Sequence, residues 1–145
     1  MNKNFHKLAL VAVFLLSGAV FANSPVGQWR TIDDTDGKEK STVEIYEQGG
    51  KIYGKISSLR EPNDEAGNPK TCTKCTGADL NKPVVGLVII KGLSADGDEY
   101  SGGTIMDPNN GKVYKCTLKV EDGGKKLRVR GYLGFFYRTQ YWFKK

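Results

Sequence analysis

Turn signals cut this chain into strand-length pieces before any run reaches the length of a useful helix. They recur at Asp33 to Gly37, Gly49-Gly50, Ser94 to Gly97, Asp107 to Gly111, Asp122 to Gly124 and Gly134. Glycine supplies the positive φ angles that tight turns need, and Asp and Asn bond back to their own backbone. The runs between these signals are β-branched or alternate apolar with polar at a period of two. A succession of such runs joined by short turns predicts an antiparallel meander. Eight strands are expected, and eight is the number at which a meander closes into a small barrel, either filled by side chains or holding one small ligand. A sandwich is the alternative architecture.

The hairpin across Gly49-Gly50 is the firmest local feature. Two glycines between Ser41–Gln48 and Lys51–Leu59 suit a type I′ or II′ turn. Pairing Gln48 with Lys51 then sets Tyr46 opposite Tyr53, Glu44 opposite Lys55, Ile45 opposite Gly54 and Val43 opposite Ile56. One face is aliphatic and the other charged and aromatic, and opposed pairs of that kind each contribute about 0.2–1 kcal/mol. A first strand enters at Pro25 to Ile32 through Gly27-x-Trp29. Further strands are expected at Val84–Lys91, Glu99–Met106, Lys112–Glu121, Lys125–Tyr132 and Phe136–Lys144. Gly102-Gly103 inside one of them predicts a bend or bulge. Between Arg60 and Pro83 the alternation stops, and a stretch this long without a pattern is usually functional or held down.

The segment 1–22 has the pattern of a cleaved secretory signal: Lys3 and Lys7, an apolar run Leu8 to Leu16, then Val20-Phe21-Ala22. That apolar run is short against the ~20 residues a span needs. Residues 23–145 are expected to form a single β-barrel domain, in a protein exported to the periplasm or the extracellular space, with no membrane span. The formal net charge is +6, and taking away Lys3 and Lys7, the only charged residues of the segment apart from the start of the chain, leaves +4. Lys125, Lys126, Arg128 and Arg130 come nearest to a basic patch, but alternation makes them a solvated strand face, and no nucleic-acid motif accompanies them.

The chain has one histidine, His6, which lies in that segment. Residues 23–145 therefore lack the groups for Ser-His-Asp or Cys-His catalysis and for a Cys₂His₂ metal site. Carboxylate pairs exist at Asp33 with Asp36 and at Asp96 with Asp98, but each sits in a glycine turn. No enzyme activity, metal or cofactor is expected. Of the three cysteines, Cys116 shares a strand face with Tyr114, Leu118 and Val120 and points inward as a small hydrophobe. Cys72-Thr73-Lys74-Cys75 admits three readings: a local disulfide stapling the long loop, a redox pair, or half of a metal site. The disulfide is the expectation, because an exported chain meets an oxidising compartment.

The last segment carries the candidate site. Arg138, Gln140 and Trp142 share one parity, and Phe135, Tyr137, Thr139, Tyr141 and Phe143 the other. If the first set faces inward, Arg138 either stacks on Trp29 to close the barrel floor or joins Gln140 in fixing an anionic or amphipathic small molecule. The candidate ligand-binding residues are thus Trp29, Arg138, Gln140 and Trp142. The outward aromatics Phe135, Tyr137, Tyr141 and Phe143 are candidates for a homo-oligomer or protein interface.

Ordered motifs spread over nearly the whole of residues 23–145 give the chain a family likeness. Gly27-x-Trp29, the run from Gly37 to Glu47, Lys51 to Ile56, Gly86-Leu87, Gly102 to Tyr114 and Leu127 to Trp142 resemble the exported bacterial family known as domain of unknown function 2147. The resemblance implies a lipocalin-like eight-stranded β-barrel and brings no established catalytic residue. Gly27-x-Trp29 is also similar to the lipocalin opening motif, in which an Arg from near the chain end covers a Trp at the barrel base. Trp29 and Arg138 are the matching positions. From the residues themselves, binding of a small amphipathic or anionic ligand in the barrel is the function expected; a non-catalytic protein-interaction or envelope module with a filled barrel is the alternative.

Overall fold

The computed structural model describes residues 11–13, 15 and 23–145. The signal-segment expectation for 1–22 lies mostly outside the described residues. Among the described residues, eight antiparallel strands follow one another around a closed barrel: β1 (Gly27–Ile32), β2 (Glu39–Gln48), β3 (Lys51–Leu59), β4 (Val88–Asp96), β5 (Glu99–Met106), β6 (Val113–Glu121), β7 (Lys126–Leu133) and β8 (Phe136–Lys144). Each strand pairs with the next, and β1 closes the ring on β8 through Trp29 opposite Lys144 and Arg30 opposite Phe143. The meander and the barrel expected from the sequence are both present. No helix among the described residues is long and apolar enough to cross a membrane.

The β2–β3 register matches the sequence pattern from Gln48 opposite Lys51 up to Val43 opposite Ile56, beyond which a bulge shifts it by one. Gly49 and Gly50 both adopt positive φ, as the turn requires. Tyr46 stacks on Tyr53 with centroids 5.9 Å apart, and Glu44 pairs with Lys55 at 3.7 Å. The β5–β6 register slips between Tyr100 and Gly103, at the expected glycine pair. Two boundaries differ from expectation. The fourth strand begins at Val88, not Val84, because Gly86 turns at positive φ and leaves Val84 and Val85 in the preceding loop. It also runs on through Ser94 to Asp96, so that Gly97-Asp98 makes the turn between Asp96 and Glu99.

The barrel has a filled end and an open end. At the end holding the start of β1 and the finish of β8, Trp29, Ile45, Leu93, Leu118, Leu127 and Trp142 are buried and form a solid floor. Burying one such side chain stabilises the fold by about 1.5–3 kcal/mol. Pro25 is fully buried as well, and its carbonyl accepts a hydrogen bond of 2.7 Å from Trp29 Nε1. At the other end lie the turn after β1, the long segment between β3 and β4, the turn after β5 and the β7–β8 turn.

Candidate functional site

A cavity of about 960 Å³ occupies the upper half of the barrel and opens between those loops. Its deep wall is aliphatic, formed by Val43, Ile56, Ile89, Ile105, Met106 and Val129. Val43, Ile56, Ile105 and Val129 come from different strands because alternation turns every second residue inward, whereas Met106, next to Ile105, has the opposite parity and lies under Cys75. Gly131, on β7, leaves room where a side chain would stand: a Cβ there would meet Tyr114 Cβ at 3.4 Å and Ile105 Cγ2 at 3.7 Å. Next to this aliphatic depth the polar groups are few, and most of the polar lining belongs to the mouth. Thr31 and Ser41 share a buried hydroxyl–hydroxyl bond of 2.6 Å, and Gln140 accepts 3.3 Å from the Trp142 indole through Oε1. Tyr114 also lines the wall, its hydroxyl accepting from Asn110 Nδ2 at 3.3 Å.

The mouth is charged with both signs. Arg138 ion-pairs with Asp34 across the rim. Arg60 pairs with Asp33 at 3.5 Å and with Asp36 at 3.2 Å, which ties the β1–β2 turn to the end of β3. Asp33 also accepts from the Thr35 hydroxyl at 2.6 Å and the Thr35 amide at 2.9 Å. Those bonds hold its carboxyl below the usual carboxylate range. Asp36 accepts from the Lys38 amide at 2.9 Å. The two aspartates therefore do turn work, as their glycine context suggested. Lys40, Lys70 and Lys74 add cations to the lining.

The long segment arches over one side of this mouth. Cys72 and Cys75 form a disulfide, and both are buried. Cys75 Sγ lies 3.8 Å from Met106 Sδ, and Cys72 Sγ 3.7 Å from the Pro108 carbonyl oxygen, so the staple rests on the β5–β6 turn. Gly111 makes that approach possible. Its φ is +73°, and a Cβ there would run into the Lys74 carbonyl. Backbone bonds from Cys72 to the Lys82 carbonyl (2.8 Å), Asn81 to the Cys72 carbonyl (2.9 Å) and Val84 to the Lys70 carbonyl (3.0 Å) fold the segment on itself. The remaining thiol, Cys116, points inward as expected, and burial pushes it up to about 12.

Residues 27–144 match the family described as "Uncharacterized protein conserved in bacteria (DUF2147)". The chain belongs to this family. Among solved structures, this DUF2147 barrel is similar to HP1028 of Helicobacter pylori, a protein described as belonging to the lipocalin family. The two share 23% identity and a TM-score of 0.69, over 83% of this chain and 82% of that one. At that identity the likeness shows the fold alone, a lipocalin-like barrel. No curated protein matches the chain in sequence.

The DUF2147 barrel separates the four candidate site residues. Arg138 and Gln140 line the cavity, whereas Trp29 and Trp142 lie in the floor and form no part of its lining. The Arg138-on-Trp29 stack does not occur. Lys144 takes that place, with Nζ 4.8 Å from the Trp29 ring and 3.4 Å from the Val26 carbonyl. Parity put Arg138 on the inner face, but the strand carries it to the mouth, and the register sets Lys144 beside Trp29. Asp34, a turn residue by its sequence context, is the partner of Arg138. The outward aromatics are also modified by cations. Arg130 stands 4.8 Å over Tyr137 and Lys126 4.1 Å over Tyr141. Phe143 is half-buried. On the same wall Arg128 pairs with Glu99, and with Glu121 at 3.8 Å, so the expected basic face is in part neutralised.

Proposed function

We propose that this barrel binds one small amphipathic molecule, its apolar part in the upper cup and an anionic head at the rim. The observation that carries this is the cavity of about 960 Å³ with an aliphatic depth and a polar mouth. It lies within the ~300–1,000 Å³ of ligand pockets lined mainly by apolar groups with a few placed polar ones. Arg138 offers a guanidinium at the mouth, held by Asp34 until a ligand carboxylate or phosphate competes for it. Gln140 offers an amide deeper in. The lipocalin-like fold agrees with such a role. The reading is non-catalytic: Asp33 and Asp36 are engaged in turn bonds and in pairs with Arg60, and the segment 23–145 has no histidine to share a proton with them. Export also belongs to this proposal, supported by the Cys72–Cys75 disulfide, which suits an oxidising compartment.

Native mass spectrometry of the protein purified from its own host tests the reading. A bound small molecule is expected, together with saturable binding of a fluorescent fatty-acid probe that this molecule displaces. Protein that carries no added mass and binds the probe only non-saturably would instead mark a barrel that acts through its surface.

A further inference from the structure

The β7–β8 turn has features that ligand binding does not use. Phe135 is 100% exposed, Phe136 82% and Leu133 66%, so the tip of the hairpin is apolar and stands clear of the barrel. Tyr137 and Val113 extend this surface down the adjoining wall. Tyr137 packs against Tyr132 with centroids 5.6 Å apart. The cations around the patch are Lys112 just before β6, Lys115 on β6 and Arg130 on β7. The residues that face outward on the upper parts of β6, β7 and β8 are Val113, Lys115, Thr117, Arg130, Tyr132, Tyr137 and Thr139, none of them acidic. The nearest carboxylates lie off this wall: Asp34, ion-paired with Arg138, and Asp107 in the β5–β6 turn, where it accepts from the Asn109 amide at 2.9 Å.

We propose that this hairpin tip docks the barrel on an anionic lipid surface, with Leu133, Phe135 and Phe136 entering the interface and the surrounding cations meeting the headgroups. An apolar tip inside a basic collar, with tyrosines just below it, is the arrangement that favours shallow insertion beside anionic lipids. Charge decides against a second copy of the chain as the occupant. Two tips facing each other would bring Lys112, Lys115 and Arg130 against the same set, with no carboxylates on that outer wall to answer them. Leu133 and Phe136 also line the cavity mouth, so docking turns the opening toward the lipid. The docking stands on the exposed tip and its collar, and survives if the cavity proves to take no ligand.

Flotation of the purified protein with vesicles tests it. The protein is expected to float with vesicles of mixed phosphatidylglycerol and phosphatidylcholine, to float poorly with phosphatidylcholine alone, and to be released as salt screens the collar. Phe135→Ser, which leaves the cavity lining intact, is expected to lower binding about tenfold with an unchanged melting temperature. Phe135→Trp is expected to show a blue-shifted emission when the anionic vesicles are added, against the constant background of buried Trp29 and Trp142. Failure of the wild-type protein to float, equal flotation of Phe135→Ser, or a dimer that Phe135→Ser converts to monomer would each overturn the proposal. Binding of the fatty-acid probe in vesicle-free solution reports on the cavity separately.

Discussion

Arg138 and Lys144 stand on the same inner parity of β8 and serve opposite ends of the barrel. Lys144 lies against Trp29 at the floor, and Arg138 reaches Asp34 at the rim with its side chain 69% exposed. An exposed ion pair contributes about 0–1 kcal/mol. Arg138→Ala is therefore expected to leave the melting temperature within about 3 °C of wild type. The same change should weaken binding of an anionic amphiphile about tenfold, since a charge-assisted bond to the head is lost. Lys144→Ala loses a cation–π contact of about 0.5–1 kcal/mol, a melting shift of at most a few degrees, while affinity stays put. Thermal melts and probe titrations on both variants check this, and a loss of affinity in Lys144→Ala but not in Arg138→Ala would refute the assignment. The sequence showed which face Arg138 belongs to because alternation is a local property. It did not show depth, which depends on strand tilt and on the register between the first strand and the last. Asp34, 104 positions away along the chain, carries no local mark as its partner.

Among the elements, the β2–β3 hairpin is readable to the residue from its turn as far as Val43 and Ile56, because a two-glycine turn fixes register and alternation fixes the face; the bulge beyond them has no local mark. The segment between β3 and β4 was readable only as a break in pattern. Its path depends on tertiary contacts: the disulfide, the turn that receives it, and Gly111. The β-branched Val84-Val85 suggested a strand, but Gly86 breaks it, and Val84 instead bonds back to Lys70 within the arch. Gly111→Ala combines a strained positive φ with a collision against the Lys74 carbonyl, a combination that costs about 1–3 kcal/mol. If the arch is the weaker partner, it lifts while the barrel holds. Trypsin should then cut after Arg60, Lys70 or Lys74 roughly tenfold faster than in wild type, with far-ultraviolet circular dichroism unchanged. Unaltered cleavage would show that the β5–β6 turn gives way instead.

In the whole molecule, filled and hollow are not alternatives, because the barrel is divided along its axis. Small apolar residues and large ones fall on the same inward parity, so the sequence pattern contained the barrel but not the division. Gly131 marks the boundary on β7: Val129 below it is buried, and above it the strand borders the cavity. Gly131→Leu places a side chain in the cup without disturbing the floor, and the φ of Gly131 is one that leucine accepts. This variant is expected to melt within about 3 °C of wild type, because it adds apolar contacts to existing space and leaves the packed end alone. Its probe binding should fall at least about tenfold, since the remaining volume no longer admits a chain. Retained binding would place the ligand elsewhere.

The axial division also bears on how such a protein changes over generations. Most substitutions in a packed interior lower stability, and stability is what limits which of them persist. Here the residues bordering the cup are largely distinct from the ring of Trp29, Leu118, Leu127 and Trp142 that seals the base. A lineage built on this plan can reshape the cup by replacing Ile105, Met106 or Val129, while the base continues to hold the barrel shut.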